Sequence, residues 1–158
     1  MLGSVNYPLV FDLLYAKQML FAAGNPGGVC RSTDLGQHWT AVNNGLTSQR
    51  PTCLAADGSG ALCVGTDGEG LSSSSDDGDN WNSISTGLTS LYVYALCGTP
   101  AALYAATGDG VFKSVNQGVS WTAASAGIPT GRVYSLLSSN GYLFAGNNSA
   151  VHRSSDSG

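Results

Sequence analysis

The sequence predicts an all-β fold built from four successive four-stranded antiparallel sheets. Three observations carry that expectation. First, nearly the same phrase recurs along the 158 residues: Ser32-Thr33-Asp34-Leu35-Gly36-Gln37-His38-Trp39, Ser74-Ser75-Asp76-Asp77-Gly78-Asp79-Asn80-Trp81, Ser114-Val115-Asn116-Gln117-Gly118-Val119-Ser120-Trp121 and Ser154-Ser155-Asp156-Ser157-Gly158. The leading serines step by 42, 40 and 40 residues, and a fixed period of that size marks a repeat architecture. Second, short β-branched and aromatic runs lie between the phrases, bounded by Gly, Asn, Asp and Ser. Third, no window carries a helical period.

Aligning the copies gives the elements in order. A first strand is predicted at Pro51–Ala55, Val93–Cys97 and Val133–Leu137. A second is predicted at Leu20–Ala23, Leu62–Gly65, Leu103–Ala106 and Leu143–Gly146. A third covers Gly28–Ser32, Gly110–Ser114 and Ala150–Ser154, and a fourth starts at the tryptophan, as in Trp39–Val42 or Trp121–Ala124. Asp57-Gly58, Asp67-Gly68, Asp109-Gly110 and Asn140-Gly141 are hairpin dipeptides whose glycine accepts positive φ. Asn44–Thr47, Thr86–Thr89 and Ala126–Pro129 link each fourth strand to the next first strand. Each repeat is an antiparallel meander with the size of one propeller blade.

The repeated phrase has a mechanical reading. It spans the turn between third and fourth strands. Short Ser and Asp side chains bond backbone N–H groups within such a turn. Gly36, Gly78, Gly118 and Gly158 supply a left-handed position. Trp39, Trp81 and Trp121 are expected to bury an apolar face against their own sheet. Asn116 stands where Asp34, Asp76 and Asp156 stand, and its carbonyl accepts the same bonds. The phrase resembles the Asp-box (BNR) repeat, Ser-x-Asp-x-Gly-x-x-Trp. The wider run Leu103–Ser114 is similar to a blade of Asp-box β-propellers. That resemblance implies a β-propeller and an extracytoplasmic leaning, and it leaves function open. The family includes sialidases, xyloglucan-active hydrolases, sortilin-type receptor ectodomains and a photosystem II assembly factor.

The chain is expected to form a single propeller domain over 1–158, with repeats near 8–49, 50–91, 92–131, and 132–158 plus 1–7. Leu2-Gly3-Ser4-Val5-Asn6 resembles a fourth strand such as Thr40–Asn43, so the N-terminus is expected to complete the last blade. Three arrangements stay open: a homo-oligomeric ring, a closed four-blade monomer, and a piece of a longer chain. An open arc would leave exposed edges, which natural proteins avoid.

Composition narrows the function classes. Only 10% of residues are charged, net charge is −4, and the six Lys and Arg are scattered, which disfavours nucleic acid. No run of about 18 apolar residues exists, so no membrane-spanning helix is expected. Met1–Phe21 is interrupted by Asp12 and Lys17 and lacks the form of a secretory signal. Cys30, Cys53, Cys63 and Cys97 have no Cys-x-x-Cys spacing and read as buried thiols, with a Cys53–Cys63 disulfide as the alternative. His38 and His152 have no ligand-like spacing to them, so no metal site is expected. Asp76-Asp77-Gly78-Asp79 reads as a solvated turn before it reads as a calcium loop. No cofactor motif is present.

In a propeller, interblade linkers and second-to-third-strand hairpins share one face, and the box turns share the other. The pattern puts Arg50, Tyr92 and Arg132 at matching linker positions, with Tyr94 and Tyr134 two residues on. Asp67, Glu69 and Asp109 come from the hairpins of the same face. Arginine and tyrosine around a depression suit a carboxylate or a sugar. The plainer alternative makes the tyrosines core and the arginines solvated. Glycoside hydrolysis needs two carboxyls at a set separation, yet Glu69 is the only Glu and most Asp residues sit in turns. The Phe-Arg-Ile-Pro-like motif that a sialidase resemblance would bring does not occur. The expectation is a non-catalytic binding or scaffold module for protein or glycan, with a fragment of an Asp-box glycosidase as the alternative.

Overall fold

The computed structural model describes residues 9–155. All its regular structure is β. Blade 1 is β1 (Leu9–Ala16), β2 (Met19–Asn25), β3 (Gly28–Ser32) and β4 (Thr40–Ala41). Blade 2 is β5 (Pro51–Ala56), β6 (Leu62–Thr66), β7 (Leu71–Ser74) and β8 (Asn82–Ser83). Blade 3 is β9 (Val93–Gly98), β10 (Leu103–Thr107), β11 (Gly110–Ser114) and β12 (Thr122–Ala123). Blade 4 is β13 (Val133–Ser139), β14 (Tyr142–Asn147) and β15 (Val151–Ser154). Each sheet is an antiparallel meander in chain order, with four, four, four and three strands. The first strands of neighbouring blades lie against one another, β1 on β5, β5 on β9 and β9 on β13.

β1 opens the first repeat with eight residues, a strand that the alignment had not singled out. The fourth strands are shorter than predicted and pair over only two residues. Side chains extend that pairing. Asn43 Oδ1, Ser85 Oγ and Ser125 Oγ accept the backbone N–H of Val29, Leu71 and Val111 at 2.7, 2.9 and 2.7 Å.

Apolar side chains fill the three junctions between blades. Phe21, Ala23, Val29 and Val42 of blade 1 meet Leu54, Leu62, Val64 and Trp81 of blade 2. Cys53, Cys63 and Leu71 meet Val93, Leu103, Phe112 and Trp121. Tyr104, Ala106 and Val111 meet Val133, Leu143 and Ala145. The core is therefore a stack of sheet-on-sheet seams, in which the sheets of blades 2 and 3 use both of their faces.

The hairpin glycines follow the expected pattern with one correction. Gly68, Gly110 and Gly141 adopt positive φ, but in the Asp57-Gly58-Ser59-Gly60 turn that role falls to Gly60. The four cysteines are free thiols. Cys53 pairs with Gly65 and Cys63 with Ala55, so the two are out of register by two positions. The strand proposed for Leu2–Asn6, and box residues Asp156 and Gly158, lie outside the described residues.

Candidate functional site

The box turn is built from three repeated hydrogen bonds. Ser32, Ser74 and Ser114 are each 1% exposed. Each Oγ donates to the carboxylate or amide oxygen two residues on, at 2.8, 2.8 and 2.9 Å. Each accepts the N–H of Gly36, Gly78 or Gly118 at 2.8 Å. Asp34, Asp76 and Asn116 then accept the N–H of residues 38, 80 and 120 at 2.8, 2.8 and 3.0 Å. The turn needs two consecutive left-handed residues, Leu35-Gly36, Asp77-Gly78 and Gln117-Gly118. The His38 backbone N–H, then its ring, leads in lowering Asp34 to about 2. The Asn80 side-chain amide, then its backbone N–H, does the same for Asp76, also to about 2.

The tryptophans reach further than their own sheets. The Trp81 indole N–H donates to Val42 O at 2.8 Å, and Trp121 to Ile84 O at 2.6 Å. Their backbone N–H groups donate to Asn44 O and Thr86 O, both at 2.9 Å. Each tryptophan thus fastens its blade to the outer rim of the preceding one. Trp39 is half-buried, and its indole N–H donates instead to Gly36 O within its own turn, at 3.2 Å. Other side chains cross the first junction on the box-turn face. Arg31 donates to Asp77 O and Asp79 Oδ1, both at 2.9 Å, and Lys17 Nζ to Asp77 Oδ1 at 2.8 Å. The Asp76–Asp79 carboxylates are therefore engaged with Asn80, Lys17 and Arg31.

The opposite face gathers most of the predicted ligand residues. A β-bulge interrupts each first strand at Phe11, Thr52, Tyr94 and Tyr134. Bulges re-aim side chains, and this one tips the Tyr94 and Tyr134 rings together, with centroids 5.3 Å apart. A depression of about 430 Å³ is lined by Asp67, Ser90, Tyr92, Tyr94, Gly108, Asp109 and Arg132. Tyr92 is tied to the neighbouring hairpins by a bridge to Asp67 and by its carbonyl, which accepts Gly108 N–H at 3.1 Å. A hydrogen bond to Tyr134 and the nearby Tyr94 hold the exposed Arg132 guanidinium above its ordinary value.

Arg50 and Glu69 depart from the expected grouping. Arg50 forms an ion pair with Asp67 rather than lining the depression. Glu69 is exposed, and its backbone N–H is held by Thr66 Oγ1 at 3.1 Å. Sequence reasoning missed Ser90, which caps Tyr92 N–H at 3.3 Å, because a linker serine carries no periodic signal. It also missed Asp12, whose carboxylate crosses the first junction to accept Leu54 N–H at 2.7 Å. Arg31, on β3, ties blade 1 to the box turn of blade 2. Among the described residues no cluster of three or more His, Cys, Asp or Glu could hold a metal ion, and no helix is long and apolar enough to cross a membrane.

The DUF6242 β-propeller domain model matches residues 13–157. The chain belongs to that family. No curated protein matches it by sequence. Among solved structures it is similar to the extracellular domain of BT4673 from B. thetaiotaomicron, described as a one-component system. The TM-score is 0.74 at 18% identity, over 97% of this chain and 24% of that one. It is similar to Ycf48 bound to a D1 peptide, with TM-score 0.70 and 20% identity over 87% of this chain and 47% of that one. It is also similar to the GH74 xyloglucanase of Xanthomonas campestris, with TM-score 0.68 and 20% identity over 91% of this chain and 28% of that one. This DUF6242 propeller chain thus spans between a quarter and a half of those proteins. At such identities the likeness establishes the β-propeller fold and no activity.

Proposed function

We propose that this DUF6242 propeller is a non-catalytic binding module that recognises a protein or a glycan through its linker-and-hairpin face. The observation that carries the reading is the depression where Arg132 meets Tyr92 and Tyr94 beside Asp67 and Asp109. A guanidinium offers a bidentate seat for a carboxylate. Tyrosine rings supply flat apolar area for a sugar face or a peptide side chain. The Asp109 carboxylate accepts from sugar hydroxyls or peptide N–H groups. Ycf48, which shares the fold, is a propeller solved with a bound peptide. The test is a screen of glycans and peptides with free carboxylates, followed by titration of the hits. Arg132→Ala and Tyr94→Ala should each weaken a hit by about tenfold or more, with the β-sheet circular dichroism unchanged. Hits indifferent to both variants overturn this assignment of the face.

A second reading is favoured by the likeness to a xyloglucanase: the chain is a piece of an Asp-box glycoside hydrolase. That chemistry needs an acid and a base or nucleophile from paired carboxyls. Asp67 is engaged by Arg50, which leaves Asp109 and Glu69 as the free carboxylates of this face. Turnover of xyloglucan or a fluorogenic glycoside, lost in Glu69→Gln or Asp109→Asn, would replace the binding reading with this one.

Self-association is part of the proposal. Blade 1 exposes Leu13 at 64%, and blade 4 exposes Val151 at 76%. Their counterparts inside the molecule, Leu54 and Leu71, are 6% and 0% exposed. The two end faces are matching halves of a blade junction, and copies joined there form a larger ring.

A further inference from the structure

Asp109 and Arg132 share the linker-face depression without pairing, and the repeat shows where each lost its partner. In blade 2 the linker residue Arg50 stands opposite the hairpin residue Asp67. The Asp67 N–H donates to Arg50 O at 3.0 Å, and the two side chains form an ion pair. In blade 3 the same two positions hold Tyr92 and Gly108, joined by the equivalent backbone bond at 3.1 Å. The carboxylate has moved one residue on, to Asp109. In blade 4 the linker position is Arg132, and the register that pairs Val133 with Asn147 sets it opposite the uncharged Asn148. Blade 3 therefore carries a carboxylate without a linker cation, and blade 4 a linker cation without a carboxylate. Both residues are exposed and both line the depression. Among the described residues neither takes part in an ion pair.

The surroundings hold these charges at fixed places. The Arg132 guanidinium is hydrogen-bonded to the Tyr134 side chain, whose ring leans on Tyr94 with centroids 5.3 Å apart. Asp109 sits on the hairpin that Tyr92 O anchors through Gly108 N–H. Because Arg50 cancels Asp67, the depression presents one positive and one negative charge, with tyrosine between them. A ligand with a carboxylate alone satisfies Arg132 and sets an added negative charge beside Asp109. A neutral glycan answers neither charge with a charge. A ligand with an anion and a cation side by side answers both, and such complementarity is what selects a partner. Exposure bears on the size of that partner. Tyr92 is 53% exposed, and ion pairs left in water contribute little. A free amino acid would leave these charges hydrated, whereas a protein surface laid over the depression lowers the local dielectric and strengthens both pairs.

Resting on the reading of this face as a binding surface, we infer that its partner is a protein, recognised at a segment where an acidic and a basic side chain lie close together. The acid pairs with Arg132 and the base with Asp109. Their aliphatic stems lie on Tyr92 and Tyr94.

The test is selection of random dodecapeptides displayed on phage against the immobilised full chain, followed by fluorescence anisotropy with synthetic copies of the enriched peptides. Enriched sequences should carry Asp or Glu within a few residues of Lys or Arg. Changing the peptide acid to Gln, or the peptide base to Gln, should each weaken binding by about tenfold. Double-mutant cycles assign the contacts. Against Asp109→Asn protein the change of the peptide base should cost less than about twofold, and against Arg132→Gln protein so should the change of the peptide acid. Circular dichroism checks that both variants fold. Acidic peptides without a base, bound by Asp109→Asn protein as well as by the unmodified chain, overturn this inference and leave the face a carboxylate site. Peptides indifferent to both protein variants, or no enrichment at all, also overturn it, and titration of glycan hits against Arg132→Ala then decides separately whether the face binds anything.

Discussion

At the residue scale, the Asp box is a device for making one serine satisfy a turn. Ser74 Oγ donates to Asp76 and accepts from Gly78, and the site is closed to water. Removing that hydroxyl strands a buried N–H, so Ser74→Ala should cost about 1–3 kcal/mol, read as a fall in the denaturation midpoint. The acid in the box has a different role, and Asn116 reveals it. An amide makes the same two acceptor bonds, so the turn needs an oxygen, not a charge. What the charge adds is pH dependence. Asp34 and Asp76 are lowered to about 2 from 3.8. A carboxylate whose folded value is depressed contributes stability above its unfolded value, and that contribution is lost as pH falls through the folded value. Both boxes should therefore weaken between about pH 4 and pH 2. The Asp34→Asn/Asp76→Asn variant should stay folded at neutral pH and show a shallower fall in Tm over that window. An unchanged slope would mean that the acid sensitivity resides elsewhere.

At the scale of the element, Trp81 and Trp121 are rivets between sheets rather than fillers of their own sheets. Trp121 is 3% exposed and bonds across to blade 2 through both indole and backbone. Trp121→Ala should cost about 3–5 kcal/mol and loosen blade 2 from blade 3. Among the described residues Trp39 makes no cross-blade bond, its indole N–H going to Gly36 O, so Trp39→Ala should cost markedly less; chemical denaturation of the two variants compares them directly. This contrast also shows where the sequence stops being informative. The boxes, strand order and hairpin positions were legible because they depend on neighbours within one repeat. The reach of Trp81 to Val42 was not, because it joins one copy of the phrase to the tail of another. For the same reason the Asp12 bridge left no periodic trace. The candidate site divides similarly. Tyr92, Tyr94, Arg132, Asp67 and Asp109 converge as the strand register implies, since linkers and hairpins of successive blades must share a face. Glu69 fell outside because the Thr66–Gly70 turn presents it to solvent, and no pattern of spacing encodes that rotation.

At the scale of the whole molecule, the deciding feature is that, among the described residues, two sheet faces at opposite ends expose apolar side chains. Phe11, Leu13 and Tyr15 of β1 are 52%, 64% and 61% exposed, and Leu137 and Val151 of blade 4 are 59% and 76% exposed. Inside the molecule, equivalent faces meet three times and bury almost all such side chains. An apolar patch of this kind marks an interaction surface. Because the two faces differ, contact between them is head-to-tail, and it closes into a ring only if the rotation per copy divides a full turn. Copies of this chain should therefore associate through Leu13 on one side and Val151 on the other. Light scattering on the unmodified chain should give an integral multiple of the monomer mass. Val151→Asp blocks one face and Leu13→Asp the other, so each alone should be monomeric, because burying an unpaired carboxylate in a seam is strongly unfavourable. A mixture of the two variants retains one good face of each kind, and it should form a one-to-one dimer and nothing larger. A monomeric unmodified chain at about 100 µM, where a stable interface of micromolar affinity would be saturated, would show that these faces serve a different partner. Heterodimers from the mixture, by contrast, can arise only if the ends of this arc recognise each other.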